Sequence, residues 1–153
     1  QLMQDELAVE EGEALVDVPG QNAQLHGVAD KIKFLVSNLL ENPELDGLNP
    51  DIIVTNLPYI PSERIAYLDS SVKDFEPHVA LDGGPDGFEL YRQLFAQMVQ
   101  KNWQPKLFVG EIDYTHGEIA QQQAQQYFPK QRVEVKLDLH HRQRILFITD
   151  DCH

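Results

Sequence analysis

The sequence predicts an α/β layered domain on a mostly parallel sheet with a C-terminal antiparallel strand pair. Three observations carry that prediction. Strand-like and helix-like segments alternate along most of the 153 residues. Ile52-Ile53-Val54 is a short, wholly apolar, β-branched run, the pattern of a strand covered on both faces in a parallel sheet. Residues 133–139 and 144–149 alternate in polarity and flank a short polar loop, which suits a terminal antiparallel pair.

The elements follow in order. Residues 1–20 are acidic and irregular, with Asp5, Glu6, Glu10, Glu11, Glu13 and Asp17, and they are read as a poorly defined segment ahead of a domain over 21–153. A short helix is expected at about 21–27, closed by Gly27. Residues 31–36 alternate as a strand. Residues 42–50 are rich in turn formers and read as a loop. The strand at Ile52-Ile53-Val54 is followed by a long irregular stretch, 58–87, and loops of that length are usually functional. Tyr91, Leu94, Phe95, Met98 and Val99 fall at helical spacing within 88–100. Residues 107–112 form another apolar strand. Residues 116–128 place Ile119, Ala120, Ala124 and Tyr127 on one side of a helix.

Composition narrows the function. Apolar residues make up 42% and charged residues 24%, as in a globular domain with a real core. The net charge of -13 opposes non-specific binding to nucleic acid, where Lys and Arg supply most of the affinity. A single cysteine, Cys152, permits no internal disulfide and suits a reducing cytoplasm. No apolar stretch approaches the roughly 18 residues of a membrane span. No basic-then-apolar leader opens the chain. The start at Gln1-Leu2-Met3 suggests a fragment or a processed product. The six histidines show no metal-ligand spacing, and no metal site is expected.

The chemistry concentrates at Asn56-Leu57-Pro58-Tyr59, directly after the apolar strand. In open α/β sheets, ligands bind beyond the carboxyl ends of strands. The Asn56 carbonyl can accept one N–H of a substrate amide or amino group. The backbone carbonyl of Leu57 or Pro58 can accept the other, and Tyr59 can stack on the flat group. The nitrogen then faces a methyl donor, and the gain is one of orientation. The competing reading is that Asn56 caps a turn that Pro58 stiffens. Gly83-Gly84-Pro85-Asp86-Gly87 lacks the Lys-Ser/Thr ending of a phosphate loop, so it reads as a turn and helix cap. Glu76 reads as a loop-fixing carboxylate, and Arg92 and Arg144 as structural cations.

The segment from Phe75-Glu76-Pro77 through Ala80-Leu81 and Gly83-Gly84-Pro85-Asp86-Gly87 to Tyr91-Arg92, taken with Asn56-Leu57-Pro58-Tyr59-Ile60, resembles the HemK (PrmC) family of protein-glutamine methyltransferases. Gln21-Asn22-Ala23, His26-Gly27-Val28, Gly110-Glu111-Ile112, Asp138-Leu139 and Arg144 agree as well, so the resemblance covers roughly residues 21–149. It implies a Rossmann-like S-adenosylmethionine-dependent methyltransferase fold, incomplete on its N-terminal side. It also implies methylation of the glutamine in the Gly-Gly-Gln motif of peptide-chain release factors. Asn56 and Tyr59 would be the catalytic pair, and Asn56, Leu57, Pro58 and Tyr59 would bind substrate. Asp17 would hold the cofactor ribose, and Asn38 the adenine, with Asn56 beside the cofactor.

Two departures qualify the resemblance. Leu57 stands where the family has proline, which removes rigidity worth about 0.4–1 kcal/mol but keeps the carbonyl. No glycine-rich turn precedes residue 21, so the cofactor half is largely unaccounted for. Asn-Pro-Pro-Tyr motifs also occur in DNA adenine methyltransferases, which keeps open methylation of an exocyclic amino group. A third possibility is a catalytically silent domain that folds without cofactor.

Overall fold

The computed structural model describes residues 6–10, 17–67 and 80–150. It divides into two compact units, Gln1–Leu48 and Asn49–His153.

In the first unit, β1 (Glu6–Glu10) pairs in parallel with β2 (Ile32–Val36), from Glu6 opposite Ile32 to Glu10 opposite Val36. Between them in the chain lies α1 (Asp17–Leu25). The strand at Glu6–Glu10 falls inside the acidic stretch, where its glutamates mask the strand signal of Leu7 and Val9. The helix begins earlier than the sequence suggests, because Pro19 sits in its first turn, where a missing N–H costs nothing. After β2, Asn42 ties the chain back. Its side chain donates to the Val36 carbonyl at 3.0 Å and accepts from Glu44 N–H at 2.9 Å, while its own N–H donates to Ser37 Oγ at 2.9 Å.

The second unit holds a four-stranded sheet of β3 (Ile52–Thr55), β4 (Leu107–Glu111), β5 (Gln131–Leu137) and β6 (Gln143–Asp150) in the order β3-β4-β6-β5. β3 runs parallel to β4, and β6 runs antiparallel to both β4 and β5. The terminal antiparallel pair is as expected, with β6 inserted at the centre. The mixed sheet and its helices form a Rossmann-like α/β fold.

α2 (Ser62–Ile65) is a single turn; α3 (Glu89–Gln100) and α4 (Gly117–Tyr127) pack on one face of the sheet. That face presents Phe108, Gly110, Leu146 and Ile148, all buried. Phe95 of α3 meets Phe108 at 5.6 Å and Phe128 at 5.3 Å between ring centroids, both edge-on. Phe88 and Tyr91 stack at 4.9 Å. The aromatic cluster is the core, and edge-to-face pairs add to its area burial.

β3 departs from expectation on one point. Both faces of Ile52-Ile53-Val54 were expected to be covered, yet Ile52 is 54% and Val54 75% exposed. α3 and α4 pack on the face that Ile53 shares with Phe108, and among the described residues Ile52 and Val54 on the other face stay exposed.

Candidate active site

The open face carries the site. The parallel register puts Thr55 opposite Gly110, so Asn56 and Glu111 leave their strands side by side. A cleft of about 510 Å³ opens there, lined by Val54, Thr55, Asn56, Val109, Glu111, Asp138, Arg144 and Ile145. This is the carboxyl edge of two parallel strands, where α/β sheets bind ligands.

Asn56 is exposed and lines the cleft. It caps no turn, and no described residue takes up its amide. Leu57 and Pro58 are half-buried behind it. The backbone then runs along the glycine-rich segment. Ile60 N–H donates to the Leu81 carbonyl at 3.1 Å, Gly83 N–H to the Ile60 carbonyl at 2.9 Å, and Ser62 N–H to the Gly84 carbonyl at 2.9 Å. The approach is close enough to exclude side chains. A Cβ on Gly83 would lie 2.7 Å from Tyr59 Cα and 2.8 Å from the Pro58 carbonyl oxygen. A Cβ on Gly87, where φ is +78°, would lie 2.3 Å from the Tyr59 carbonyl oxygen. Glycine is required at both places.

The same segment then leads into α3 through turns, as expected, while the N-cap position, Phe88, has no side-chain cap. Asp86 accepts Phe88 N–H at 3.0 Å, and Asp82 accepts Gly84 N–H at 2.9 Å. Arg92 forms an ion pair with Asp86 and another with Glu89 at 3.2 Å. Its hydrogen bond holds the Asp86 carboxyl down to about 2. Arg92 is thus structural.

Arg144 makes ion pairs and a backbone contact, as a structural cation would, and does so at the edge of the cleft. Its guanidinium carbon lies 5.5 Å from the centre of the Tyr59 ring, and Nη2 lies 3.7 Å from Glu111 Oε1. Tyr59 Oη donates to that same oxygen at 3.2 Å. Burial raises the Tyr59 hydroxyl above its ordinary value; Arg144 opposes this and Glu111 reinforces it, so the phenol is a neutral donor near pH 7. Glu111 is the residue that reading the sequence missed as a site group. Its signal was available: it closes an apolar strand parallel to the one that Asn56 follows.

The remaining candidates lie in the other unit. Asn38 follows β2 and is exposed, two residues beyond the strand end at Val36. Asp17, implied by the resemblance as the ribose-holding acid, opens α1 rather than closing a strand. The acidic residue that closes a strand there is Glu10, opposite Val36. Phe75-Glu76-Pro77 lies outside the described residues. Among the described residues, no group of three His, Cys, Asp or Glu side chains could hold a metal, and no helix is long and apolar enough to cross a membrane.

No family model matches the chain. Among curated proteins, it is 33% identical over 132 residues to the release factor glutamine methyltransferase of Bacillus cereus, covering 86% of this chain and 46% of that protein. It is 43% identical over 68 residues to the one of Caulobacter vibrioides, covering 44% of this chain and 24% of that protein. The chain thus spans about half or less of the length of the curated relatives it matches. Among solved structures, the hMettl16 catalytic domain with the MAT2A 3′UTR hairpin 1 matches with a TM-score of 0.67 at 13% identity, over 94% of this chain and 54% of that one. A putative rRNA-methylase from Clostridium thermocellum matches at 0.56 with 11% identity, over 94% and 73%. At such identities these two matches speak for the fold alone.

Proposed function

We propose that this chain, which is related in sequence to the release factor glutamine methyltransferases over about half their length, carries the substrate-holding part of an S-adenosylmethionine-dependent N-methyltransferase. Its substrate is the glutamine side-chain amide in the Gly-Gly-Gln motif of a peptide-chain release factor. One observation carries the reading. The Asn56 amide, which no described residue engages, stands at the mouth of the cleft, with Tyr59 tied to its wall.

An amide nitrogen is a weak nucleophile, because its lone pair is delocalised into the carbonyl. Asn56 Oδ1 accepts one amide hydrogen, and the Leu57 or Pro58 carbonyl accepts the other. Tyr59 packs on the amide plane. The nitrogen is thereby aligned, and an aligned pair reacts as if at very high effective concentration. The two accepting oxygens also stabilise the positive charge that grows on nitrogen. No strong base is required, because the methylated nitrogen becomes acidic and releases its proton. Leu57 keeps the carbonyl that the scheme uses and gives up only the rigidity of proline.

S-adenosylmethionine supplies an electrophilic methyl group when bound. By strand position, Glu10 and Asn38 are the residues that would hold its adenosine part. They lie at the carboxyl ends of two paired parallel strands, Glu10 for the ribose hydroxyls and Asn38 for the adenine edge. Glu10 takes the role first assigned to Asp17. A soluble setting in the cytoplasm belongs to the same reading.

The test is methyl transfer by the full-length protein to a Gly-Gly-Gln release-factor domain and, in parallel, to duplex DNA. Transfer to the protein is expected; transfer to DNA alone overturns the substrate assignment. Asn56→Ala is expected to lower kcat about a hundredfold at an unchanged melting temperature. Full activity in that variant sinks the amide-holding role.

A further inference from the structure

The cleft contains two carboxylates with no part in the scheme above, Glu111 and Asp138, and only Glu111 touches Tyr59. We propose that Glu111, braced by Arg144, is a positioning residue that fixes the ring of Tyr59 beside Asn56. The proposal rests on the amide-holding reading of Asn56 to Tyr59.

Four observations converge on it. First, the strand register sets Glu111 next to Asn56, at the same edge of the sheet. Second, Glu111 Oε1 is shared: Tyr59 Oη donates to it at 3.2 Å, and Arg144 Nη2 approaches it to 3.7 Å. Third, Arg144 is itself anchored. Its Nη1 donates to the Ile112 carbonyl at 3.5 Å, its Nε lies 4.0 Å from Asp138 Oδ2, and its guanidinium covers the Tyr59 ring at 5.5 Å. Fourth, the backbone beneath the carboxylate is fixed. Glu111 pairs with Ile145 in the β4–β6 ladder, and the buried Tyr91 hydroxyl donates to its carbonyl.

Tyr59 is thus held at both ends. Its backbone lies against Gly83 and Gly87, and its hydroxyl is pinned by Glu111. With the pin removed, the ring is free to turn about χ1 and χ2, and the surface on which the substrate amide rests is lost. A simple surface ion pair would do something else. It would contribute a little stability and leave turnover untouched.

The two roles separate in a double-mutant cycle on the full-length protein. Glu111→Ala and Tyr59→Phe are each expected to lower kcat about tenfold with KM within about twofold. The double variant should fall no further than either single one. Glu111→Gln keeps an acceptor for the phenol and should recover part of the loss. Arg144→Lys keeps the charge without the planar fork and should show a smaller loss of the same kind. A readout independent of turnover is the titration of Tyr59, followed by NMR of its ring Cζ. Glu111→Ala should lower its midpoint, because the carboxylate favours the protonated phenol. Additive losses in the double variant, wild-type kcat in Glu111→Ala, or an unmoved Tyr59 midpoint each overturn the proposal. Asn56→Ala run alongside tests the underlying reading. Full activity there, with the Tyr59 midpoint still dependent on Glu111, overturns the amide-holding scheme and leaves the Glu111–Tyr59 link in place.

Discussion

The two faces of the four-stranded sheet are built from the same strands and do opposite work. On one face, Phe108, Gly110, Leu146 and Ile148 are shut under α3 and α4. On the other, Val54, Val109, Glu111 and Ile145 line an open cleft, which Arg144 also lines from near the start of β6. Alternation along each strand assigns successive residues to the two faces. Phe108 therefore packs while Val109 lines the cleft, and Gly110 packs while Glu111 lines it. Rigidity on the first face holds the geometry of the second. Tyr91 shows the link: it is buried in the aromatic cluster, and its hydroxyl reaches the Glu111 carbonyl.

The packed face should yield the largest effect. A Cβ on Gly110 would lie 2.6 Å from Tyr91 Oη and 2.9 Å from Tyr91 Cε1. Gly110→Ala is expected to cost about 1–3 kcal/mol of stability in denaturant melts, as overpacking does. Adding Tyr91→Phe, which removes the nearer atom, should recover part of it. No recovery would mean that the strain lies elsewhere.

A smaller effect belongs to the loop that joins the two faces. Asp86 is held at about 2, below its usual 3.8, by the Arg92 hydrogen bond first and the Phe88 N–H next. A depressed carboxylate adds stability that is complete above its unfolded value and is lost as pH falls through the folded one. The melting-temperature gap between wild type and Asp86→Asn should therefore be full near neutral pH and close between about pH 4 and pH 2. The pair is partly exposed, so the gap should reflect about 1 kcal/mol or less. A gap that widened in acid would reverse the assignment.

The smallest effect is expected on the open face. Val54→Ser removes an apolar side chain that is 75% exposed and should change stability by under about 0.5 kcal/mol. A loss well above that in the full-length protein would mean that this face is covered there, and the contrast between the faces would narrow.

Much of the fold was legible in the sequence. The helical spacing of Tyr91, Leu94, Phe95 and Met98 marked α3, and all four are buried. The β-branched run marked β3 and put Asn56 at a strand exit. The glycine-rich segment was legible as a turn, because Asp and Gly at those offsets serve few other purposes. Less legible was β1, since glutamates at both ends of Glu6–Glu10 hide a short strand. The helix start at Asp17 was hidden for the same reason, as an acidic, weakly periodic stretch gives local rules little to hold.

What the sequence determined by itself was the set of elements and one half of the site. Period, β-branching and turn chemistry are local properties, and four adjacent residues, Asn56 to Tyr59, announce their chemistry at one strand end. The tertiary structure decided which strands are neighbours, that β6 lies between β4 and β5, and that α3 and α4 share one side. It alone brought Glu111 to Tyr59, 52 residues away in the chain, with Arg144 closing over both. Such pairings depend on which faces can be buried together, and that is a property of the packed chain rather than of any segment within it.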